Sequence, residues 1–295
     1  NDDEWSQWFA ALHDSDKKNV IEAVTGQSNW FSLSFSKSTH LPGRFFSESR
    51  GLTTLSLHRF CSLTALPASL GQLRALTKLN LSYCESLAAL PESLGELQAL
   101  TTLGLADCSS LTALPESLGH LQALTKLDLY SCSSLTALPN TLGQLQALNI
   151  FELNNCKSLA ALPESLGQLQ ALTKLNLYNC TSLAALPESL GQLQALTELY
   201  LGYCYFAALP ESLGQLQSLT ILDLQGCSSL AALPESIVQL QALTRLDVTH
   251  CISFALESFK LAWRLEECNQ KICKGPSGSP ERFFMTTYDF AATIL

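Results

Sequence analysis

Leucine recurs along most of the chain with a period of about 24 residues. The repeated unit reads LTxLxLxxCxSLxALPESLGQLQA, and the unit that begins at Leu196 is one residue shorter. We expect Phe206 to fill the place of the leucine that this unit lacks. A fixed period of this length predicts a solenoid, in which each unit packs against its two neighbours. The units begin at Leu52, Leu76, Leu100, Leu124, Leu148, Leu172, Leu196, Leu219 and Leu243.

The hydrophobic pattern changes part-way through each unit. The LTxLxLxx part alternates apolar and variable residues, which is typical of a strand with one buried face. After the proline, leucines follow at intervals of three residues, as in a short helix or 3-10 turn. The pattern therefore predicts an α/β solenoid, with a curved parallel sheet on the concave side and short helices or 3-10 turns on the convex side. Nine strands at ~4.8 Å spacing span roughly 38 Å, which suits a protein-sized partner.

We expect helical caps at both ends of the stacked core, because the terminal units of a solenoid would otherwise expose their leucines. Trp5, Trp8, Phe9 and Leu12 share one helix face, which predicts the first cap. The predicted divisions are 1–51 for an N-terminal helical cap and degenerate repeat, 52–253 for the solenoid of nine units, 254–274 for a C-terminal capping helix, and 275–295 for a linker and apolar tail.

Two stretches of these predicted ends carry further apolar residues. Phe31, Leu33 and Phe35 alternate like a strand, which predicts a degenerate repeat beneath the first clear unit. The tail is unusually apolar, and it either folds back on the cap or docks on a partner. Its candidate contact residues are Phe283, Phe284, Tyr288 and Phe290.

The LxLxxC…SLxxLPESLGxL form of the unit resembles the leucine-rich-repeat family, and the resemblance covers about residues 52–253. Among its members, the form is most similar to repeats of intracellular plant immune receptors with a nucleotide-binding half, and of related algal proteins. It departs from plant cell-surface receptors, whose repeats carry Asn and a Gly-x-Ile-Pro segment. No GxxxxGK[ST] occurs in the chain, so nothing matches the nucleotide-binding half. The resemblance implies a curved binding scaffold and no particular ligand.

Charge and hydropathy narrow the classes of partner. The net charge is −9 and only 15% of residues are charged, so the chain would repel a phosphate backbone. We therefore expect no nucleic acid partner. No apolar run approaches the ~20 residues of a membrane span, which predicts a soluble chain without direct membrane insertion. Because the sequence starts at Asn1 and carries no signal pattern, we expect a fragment or a processed precursor.

Eight of the 11 cysteines occupy one repeat position. Each thiol has two equivalent neighbours and no unique disulfide partner, so we expect buried reduced thiols that donate weakly to backbone carbonyls. Reduced thiols predict an intracellular reducing compartment, either the cytoplasm or an organelle reached with a targeting peptide since removed. A line of thiols cannot give zinc four convergent ligands, and we expect no metal and no cofactor. The eight are Cys84, Cys108, Cys132, Cys156, Cys180, Cys204, Cys227 and Cys251.

Candidate catalytic groups are scattered. The five histidines, His13, His40, His58, His120 and His250, occupy unrelated positions, and no Ser-His-Asp or Cys-His arrangement fits one site. A glutamate after the proline forms a column, which we interpret as a solvated edge. The chain is therefore not expected to be an enzyme. The column consists of Glu92, Glu116, Glu164, Glu188, Glu211 and Glu235.

The variable strand residues carry the candidate binding surface. They form two adjacent columns of charged and polar residues, and we expect opposite charges to pair across the sheet. Tyrosines stand out, because tyrosine buries a large area while it keeps a polar end. We place Tyr130, Tyr178, Tyr200 and Tyr203 at exposed strand positions, with Tyr205 just beyond, and we take Asn176, Asn179 and Glu198 as polar neighbours. This hypothesis centres the partner-binding patch on the units at Leu172 and Leu196.

The predicted function is a non-enzymatic protein–protein interaction scaffold that binds through the concave sheet, the tail or both. It would work alone or as a subunit of a larger complex. One alternative is the ligand-sensing part of an immune-type receptor. A third is a substrate-recruiting adaptor of a ubiquitin ligase, which is weakened because no F-box-like helical segment precedes the repeats. The sequence leaves the partner and the oligomeric state open.

Overall fold

In the computed structural model of the protein, residues 2–32 and 41–251 are described. Within these ranges ten strands form one parallel sheet, whose spatial order follows the chain. The predicted α/β leucine-repeat solenoid is therefore confirmed. The strands are β1 (Trp30–Ser32), β2 (Thr54–Ser56), β3 (Lys78–Asn80), β4 (Thr102–Gly104), β5 (Lys126–Asp128), β6 (Ile150–Glu152), β7 (Lys174–Asn176), β8 (Glu198–Tyr200), β9 (Ile221–Asp223) and β10 (Arg245–Asp247).

Each strand is three residues long, and a left-handed turn follows each of β2–β10. In some units a side chain supports this turn. In the unit at Leu172, the Oδ1 atom of Asn176 accepts a hydrogen bond from the Tyr178 N–H at 3.1 Å. The backbone then turns into the left-handed region at Asn179, where φ is 60°, and the next residue enters the core. Asp or Asn accepts the same bond in other units, as Asp223 does from the Gln225 N–H at 2.9 Å. Such local bonds to the backbone compete with the sheet ladder.

Matching repeat positions lie side by side across the sheet. Leu79, for example, is in register with Leu103 on the next strand, so the leucines of successive units stack into one continuous core. Burying each such side chain contributes ~1.5–3 kcal/mol before the loss of conformational entropy. In the short unit at Leu196, Phe206 is only 1% exposed, and it fills the place of the missing leucine as predicted.

The side opposite the sheet consists of 3-10 helices that each follow a proline. Their close stacking requires glycine, because a Cβ on Gly95 would lie 2.6 Å from the backbone oxygen of Ser117 in the next unit. Such an approach is shorter than atomic contact allows. The eight 3-10 helices are Ala68–Gln72, Glu92–Glu96, Glu116–His120, Asn140–Gln144, Glu164–Gln168, Glu188–Gln192, Glu211–Gln215 and Glu235–Gln239.

The glutamate column on this side does more than the predicted solvated edge. Glu164 Oε2 accepts a hydrogen bond from the Ser189 N–H at 3.2 Å, at the start of the next 3-10 helix. Glu92, Glu116, Glu188 and Glu211 make the equivalent bond to their next unit. The column is exposed, as predicted, and each of these carboxylates also caps free N–H groups of its neighbour.

Three helices stand at the N-terminal end: α1 (Asp2–Ala11), α2 (Asp14–Val24) and α3 (Gly43–Glu48). The aromatic face of α1 packs inward, since Trp8 is buried and lies 6.2 Å from Phe45 of α3, measured between ring centroids. Phe45 in turn lies 4.6 Å from Phe31 of β1, and Phe31 is in register with Leu55. Aromatic residues thus cover the core beside the first clear unit. The division of the chain into four segments stays a prediction.

The eight repeated cysteines are buried and unbonded to one another. Each thiol donates to the carbonyl of a leucine in the preceding unit, as Cys156 Sγ does to Leu129 O at 3.2 Å. Burial raises the pKa of Cys84 and of Cys180 to about 12. The prediction of buried thiols that donate to backbone carbonyls is confirmed, and such thiols are poor nucleophiles at neutral pH.

Several sequence predictions fall outside the described residues. They concern Leu33, Phe35 and His40, the capping helix over 254–274, and the tail contacts at Phe283, Phe284, Tyr288 and Phe290. Over the described ranges, no helix is both long and apolar enough to cross a membrane. The same ranges hold no cluster of three or more His, Cys, Asp or Glu side chains that could bind a metal ion.

Candidate protein-binding surface

The open sheet face consists of the strand side chains that point away from the leucine core, together with the turn residues that follow each strand. Within a unit these are the third, fifth, seventh and eighth residues. The register brings Asn176 beside Tyr200 and Tyr200 beside Asp223. The centre of the candidate site therefore lies on β7, β8 and β9.

Charged and amide side chains form a connected network at the N-terminal side of this centre. Lys174 Nζ lies 2.8 Å from Glu152 Oε1, and Asn176 Nδ2 donates to Glu152 Oε2 at 2.8 Å. The hydrogen bond to Glu152 raises the pKa of Lys174, so this lysine stays charged. The network anchors Lys174, whose Nζ sits 5.5 Å from the centroid of the Tyr200 ring.

Tyr200 is held at both ends of its side chain. Its ring faces the ammonium group of Lys174, a cation–π contact, and its hydroxyl donates to Glu198 Oε2 at 3.1 Å. Burial, the hydrogen bond to Glu198 and the charge of that carboxylate raise the pKa of the phenol. Tyr200 is therefore neutral, half-buried and fixed in position.

Tyr178 and Tyr203 form the second part of the site. Their ring centroids are 5.2 Å apart and the ring planes meet at 65°, an edge-to-face arrangement. Each ring rests on a glycine of the following unit. A Cβ on Gly202 would approach Tyr178 Cδ2 to 2.9 Å, and one on Gly226 would approach Tyr203 Cε1 to 2.7 Å.

The placement of the tyrosines partly corrects the sequence prediction. Tyr200 lies on a strand, whereas Tyr130, Tyr178 and Tyr203 were wrongly placed on strands. Tyr130 and Tyr178 donate their backbone N–H to the last side chain of β5 and of β7, and Tyr203 occupies the left-handed turn with φ at 57°. The strands end earlier than the alternating pattern suggests.

The structure brings six of the predicted residues into one group: Asn176, Tyr178, Asn179, Glu198, Tyr200 and Tyr203. Asn179 Nδ2 donates to Asn155 Oδ1 at 2.7 Å, so it continues the polar network along the turns. Tyr130 lies two units away, and Tyr205, which is 50% exposed, lies past the turn. Neither has a ring contact with the group within the described residues.

Sequence reasoning missed the supporting residues of this site. Glu152, Lys174 and Asp223 were assigned to a self-neutralised surface, and that view holds for two pairs: Glu152 with Lys174, and Arg245 with Asp247, 3.7 Å apart. The glycine seats Gly202 and Gly226 were not identified. The sequence does carry a signal for them. Each glycine occupies, in the following unit, the same repeat position as the tyrosine that lies against it.

A second aromatic group lies near the N-terminal end of the same face. The rings of His58 and Tyr83 meet edge to face, 5.2 Å apart, and the guanidinium of Arg59 sits 5.4 Å from the centroid of Tyr83. Burial raises the pKa of Asp107, whereas a hydrogen bond with Tyr83 lowers it. This group contains one tyrosine, Tyr83, whereas the group on β7–β9 contains three.

No protein-family model matches the chain, and a search of curated proteins finds no match either. Solved structures do match. The leucine-rich repeat domain of the type III effector XopL is 27% identical, with 80% of each chain covered and a TM-score of 0.71. A TDR receptor, 23% identical with a TM-score of 0.53, is matched over 79% of this chain and 45% of its own, and it shows the fold alone.

The regular parallel sheet, the 3-10 turns and this likeness define a repeat solenoid of the α/β class. The chain is a leucine-rich-repeat protein. A fold of this kind supports a protein-interaction scaffold in general, because stacked units present one extended surface.

Proposed function

We propose that the protein is a non-enzymatic interaction scaffold that binds a partner protein on its open sheet face, alone or as a subunit of a larger complex. The binding centre is the tyrosine patch, which we define as Tyr178, Tyr200 and Tyr203. The observation that carries the proposal is that these three rings gather on adjacent units, although most other residues on the face are small or polar.

The side chains of the tyrosine patch are already ordered before a partner binds. Tyr178 and Tyr203 are fixed by their mutual contact and their glycine seats, and Tyr200 is fixed by Lys174 and Glu198. Side chains that are already ordered lose little conformational entropy when a partner arrives. Rigid tyrosines with a polar end are the residue type that dominates many protein interfaces.

The wider surface supports binding rather than catalysis. His58 and His250 lie on the sheet side of the first and last clear units, and His120 belongs to a 3-10 helix on the opposite side. General acid–base chemistry needs such groups within hydrogen-bond reach of one substrate. The buried thiols, with their raised pKa values, are not available as nucleophiles. Reduced thiols also favour an intracellular reducing compartment.

The test is affinity capture from native extract with the intact chain, a Tyr178→Ser/Tyr200→Ser/Tyr203→Ser variant and a chain that ends at Lys274. A matched control replaces Thr54, Lys78 and Thr102 by Ser, because these residues occupy the same face near its other end. We expect the tyrosine variant to lose a partner that the control and the shortened chain retain. Loss with the shortened chain alone would contradict the proposal and assign recognition to the tail.

A further inference from the structure

Charged side chains are distributed unevenly along the open sheet face. In its N-terminal half, over β2–β5, cations slightly outnumber carboxylates: Arg59, Lys78 and Lys126 stand against Asp107 and Asp128. In its C-terminal half, over β6–β10, the order is reversed. That half carries the cations Lys174 and Arg245 and the carboxylates Glu152, Glu198, Asp223 and Asp247.

Two carboxylates of the C-terminal half remain without an ion pair. Lys174 is bound to Glu152 at 2.8 Å, and Arg245 faces Asp247 across 3.7 Å. Among the described residues, neither Glu198 nor Asp223 has a salt bridge. Glu198 only accepts the Tyr200 hydroxyl. The tyrosine patch is therefore flanked by two carboxylates whose charge is not directly neutralised.

Asp223 is a carboxylate close to two tyrosines of the patch. It lies in register with Tyr200, and its charge acts on the phenol of Tyr178, which also interacts with Tyr203. Burial raises the pKa of Asp223, the bond from the Gln225 N–H lowers it, and the charges of Asp247 and Arg245 act in opposite directions. A half-buried carboxylate beside aromatic rings attracts a cation through both its charge and the ring faces.

We propose that the tyrosine patch, with Glu198 and Asp223, receives an arginine or lysine side chain from an extended basic segment of the partner protein. This inference rests on the proposed function, and it specifies the chemistry of the partner. An extended segment suits the site because its alternate side chains, ~6.6 Å apart, all point to one side and can reach different strands of the face. A phosphate-bearing ligand would meet two carboxylates at the same place and be repelled.

The experiment is a selection from a display library of random linear peptides, carried out against the full chain. Four forms are compared: the unchanged protein, Asp223→Asn, Asp128→Asn and the triple tyrosine-to-serine variant. Asparagine keeps the turn, because Asn176 accepts the same backbone bond at the same repeat position. Asp128 is the matched control, since its Oδ1 accepts the Tyr130 N–H at 3.1 Å in the opposite half of the face.

We expect peptides enriched in arginine or lysine, whose affinity falls roughly tenfold with Asp223→Asn and is unchanged with Asp128→Asn. Acidic or neutral peptides that still depend on the tyrosines would overturn the basic-segment inference while the proposed function stands. Peptides that bind equally well to the triple tyrosine variant would overturn both. Equal loss with Asp128→Asn would also count against the inference, because it would show a charge effect of the whole face.

Discussion

The ring of Tyr178 lies against Gly202 of the following unit, so that a Cβ on the glycine would come within 2.9 Å of ring atoms Cδ2 and Cε2. The glycine gives the ring a flat seat and turns it toward Tyr203. The relation repeats one unit later, where Tyr203 lies against Gly226. The shape of the candidate binding surface is thus set partly by glycines, which have no side chain.

Gly202→Ala should displace Tyr178 and weaken partner binding, because the added Cβ would take space that the ring occupies. Adding a methyl group to a filled space lowers stability by about 1–3 kcal/mol where neighbours cannot move. The Tyr178 ring lies at the surface and can rotate away. We therefore expect only a small loss of stability. Gly104→Ala is the control, because its nearest contact is the Asn80 side chain at 3.3 Å. Calorimetric titration with the captured partner measures the affinity of each variant. Equal affinities of Gly202→Ala and Gly104→Ala would contradict the role of Gly202 in positioning Tyr178.

Gly167→Ala should destabilise the fold itself. The added Cβ would collide with the backbone oxygen of Ser189, and a stacked backbone cannot retreat as a side chain can. We expect the free energy of unfolding to fall by about 2 kcal/mol or more. Gly51→Ala serves as control, since a Cβ there meets nothing within 4 Å. Urea titration followed by circular dichroism measures the unfolding midpoint of both variants. Similar midpoints would show that the stacked 3-10 helices do not need glycine at this position.

Asp223→Asn should raise stability at neutral pH. Burial raises the pKa of Asp223 above its ordinary value, so between the two pKa values the folded state binds more protons than the unfolded state. Stability contributed by this group therefore falls as the pH rises through that interval, and asparagine removes the loss. We expect a gain within about 1 kcal/mol at pH 7 that disappears in acid.

Thermal unfolding of the Asp223→Asn variant and the unchanged protein across a pH series tests this. A gain that is independent of pH would point to a packing effect. A loss of stability at neutral pH would mean that the carboxylate stabilises the fold. Residues kept for binding often reduce stability, so that result would remove one argument for a binding role of Asp223.

Thiol labelling should separate Cys61 from the eight buried cysteines of the repeat. Cys61 is exposed, whereas Cys84 and Cys180 are buried with pKa values raised to about 12, so very little thiolate forms on them at pH 8. We expect a charged alkylating reagent to modify Cys61 in the native protein long before the repeated thiols. Peptide mass spectrometry reads each site separately. Equal rates without denaturant would contradict the packed core.

The repeat pattern was sufficient to predict the fold, because leucine spacing determines which face each residue turns to the core. It predicted the strand positions, the place of Phe206 and the buried thiols, all of which depend on one unit and its immediate neighbour. It overestimated the length of the strands, since the alternating pattern runs past Asn176. The backbone turns into the left-handed region at Asn179, and the alternating pattern alone does not reveal such a turn.

The sequence was less informative about contacts between units. The capping bonds of the exposed glutamate column were missed because the N–H that Glu164 caps belongs to Ser189, 25 residues later. Likewise, the choice of Lys174 between Glu152 and Glu198 depends on side-chain geometry, since both carboxylates lie on neighbouring strands. The residue types in the sequence indicate candidates for a site. Only the structure shows which charges pair with one another, and that Asp223 has no salt bridge among the described residues.

The most direct measurement of the central claim is photo-crosslinking from the sheet face. A photo-reactive phenylalanine analogue replaces Ile221, which lies on β9 between Glu198 and Arg245 in register, and a second protein carries it at Ala161, an exposed residue outside the sheet. The account predicts a crosslinked partner from position 221, absent from position 161 and lost when Tyr178, Tyr200 and Tyr203 are also changed to Ser. A crosslink from position 161, with none from 221, would contradict it.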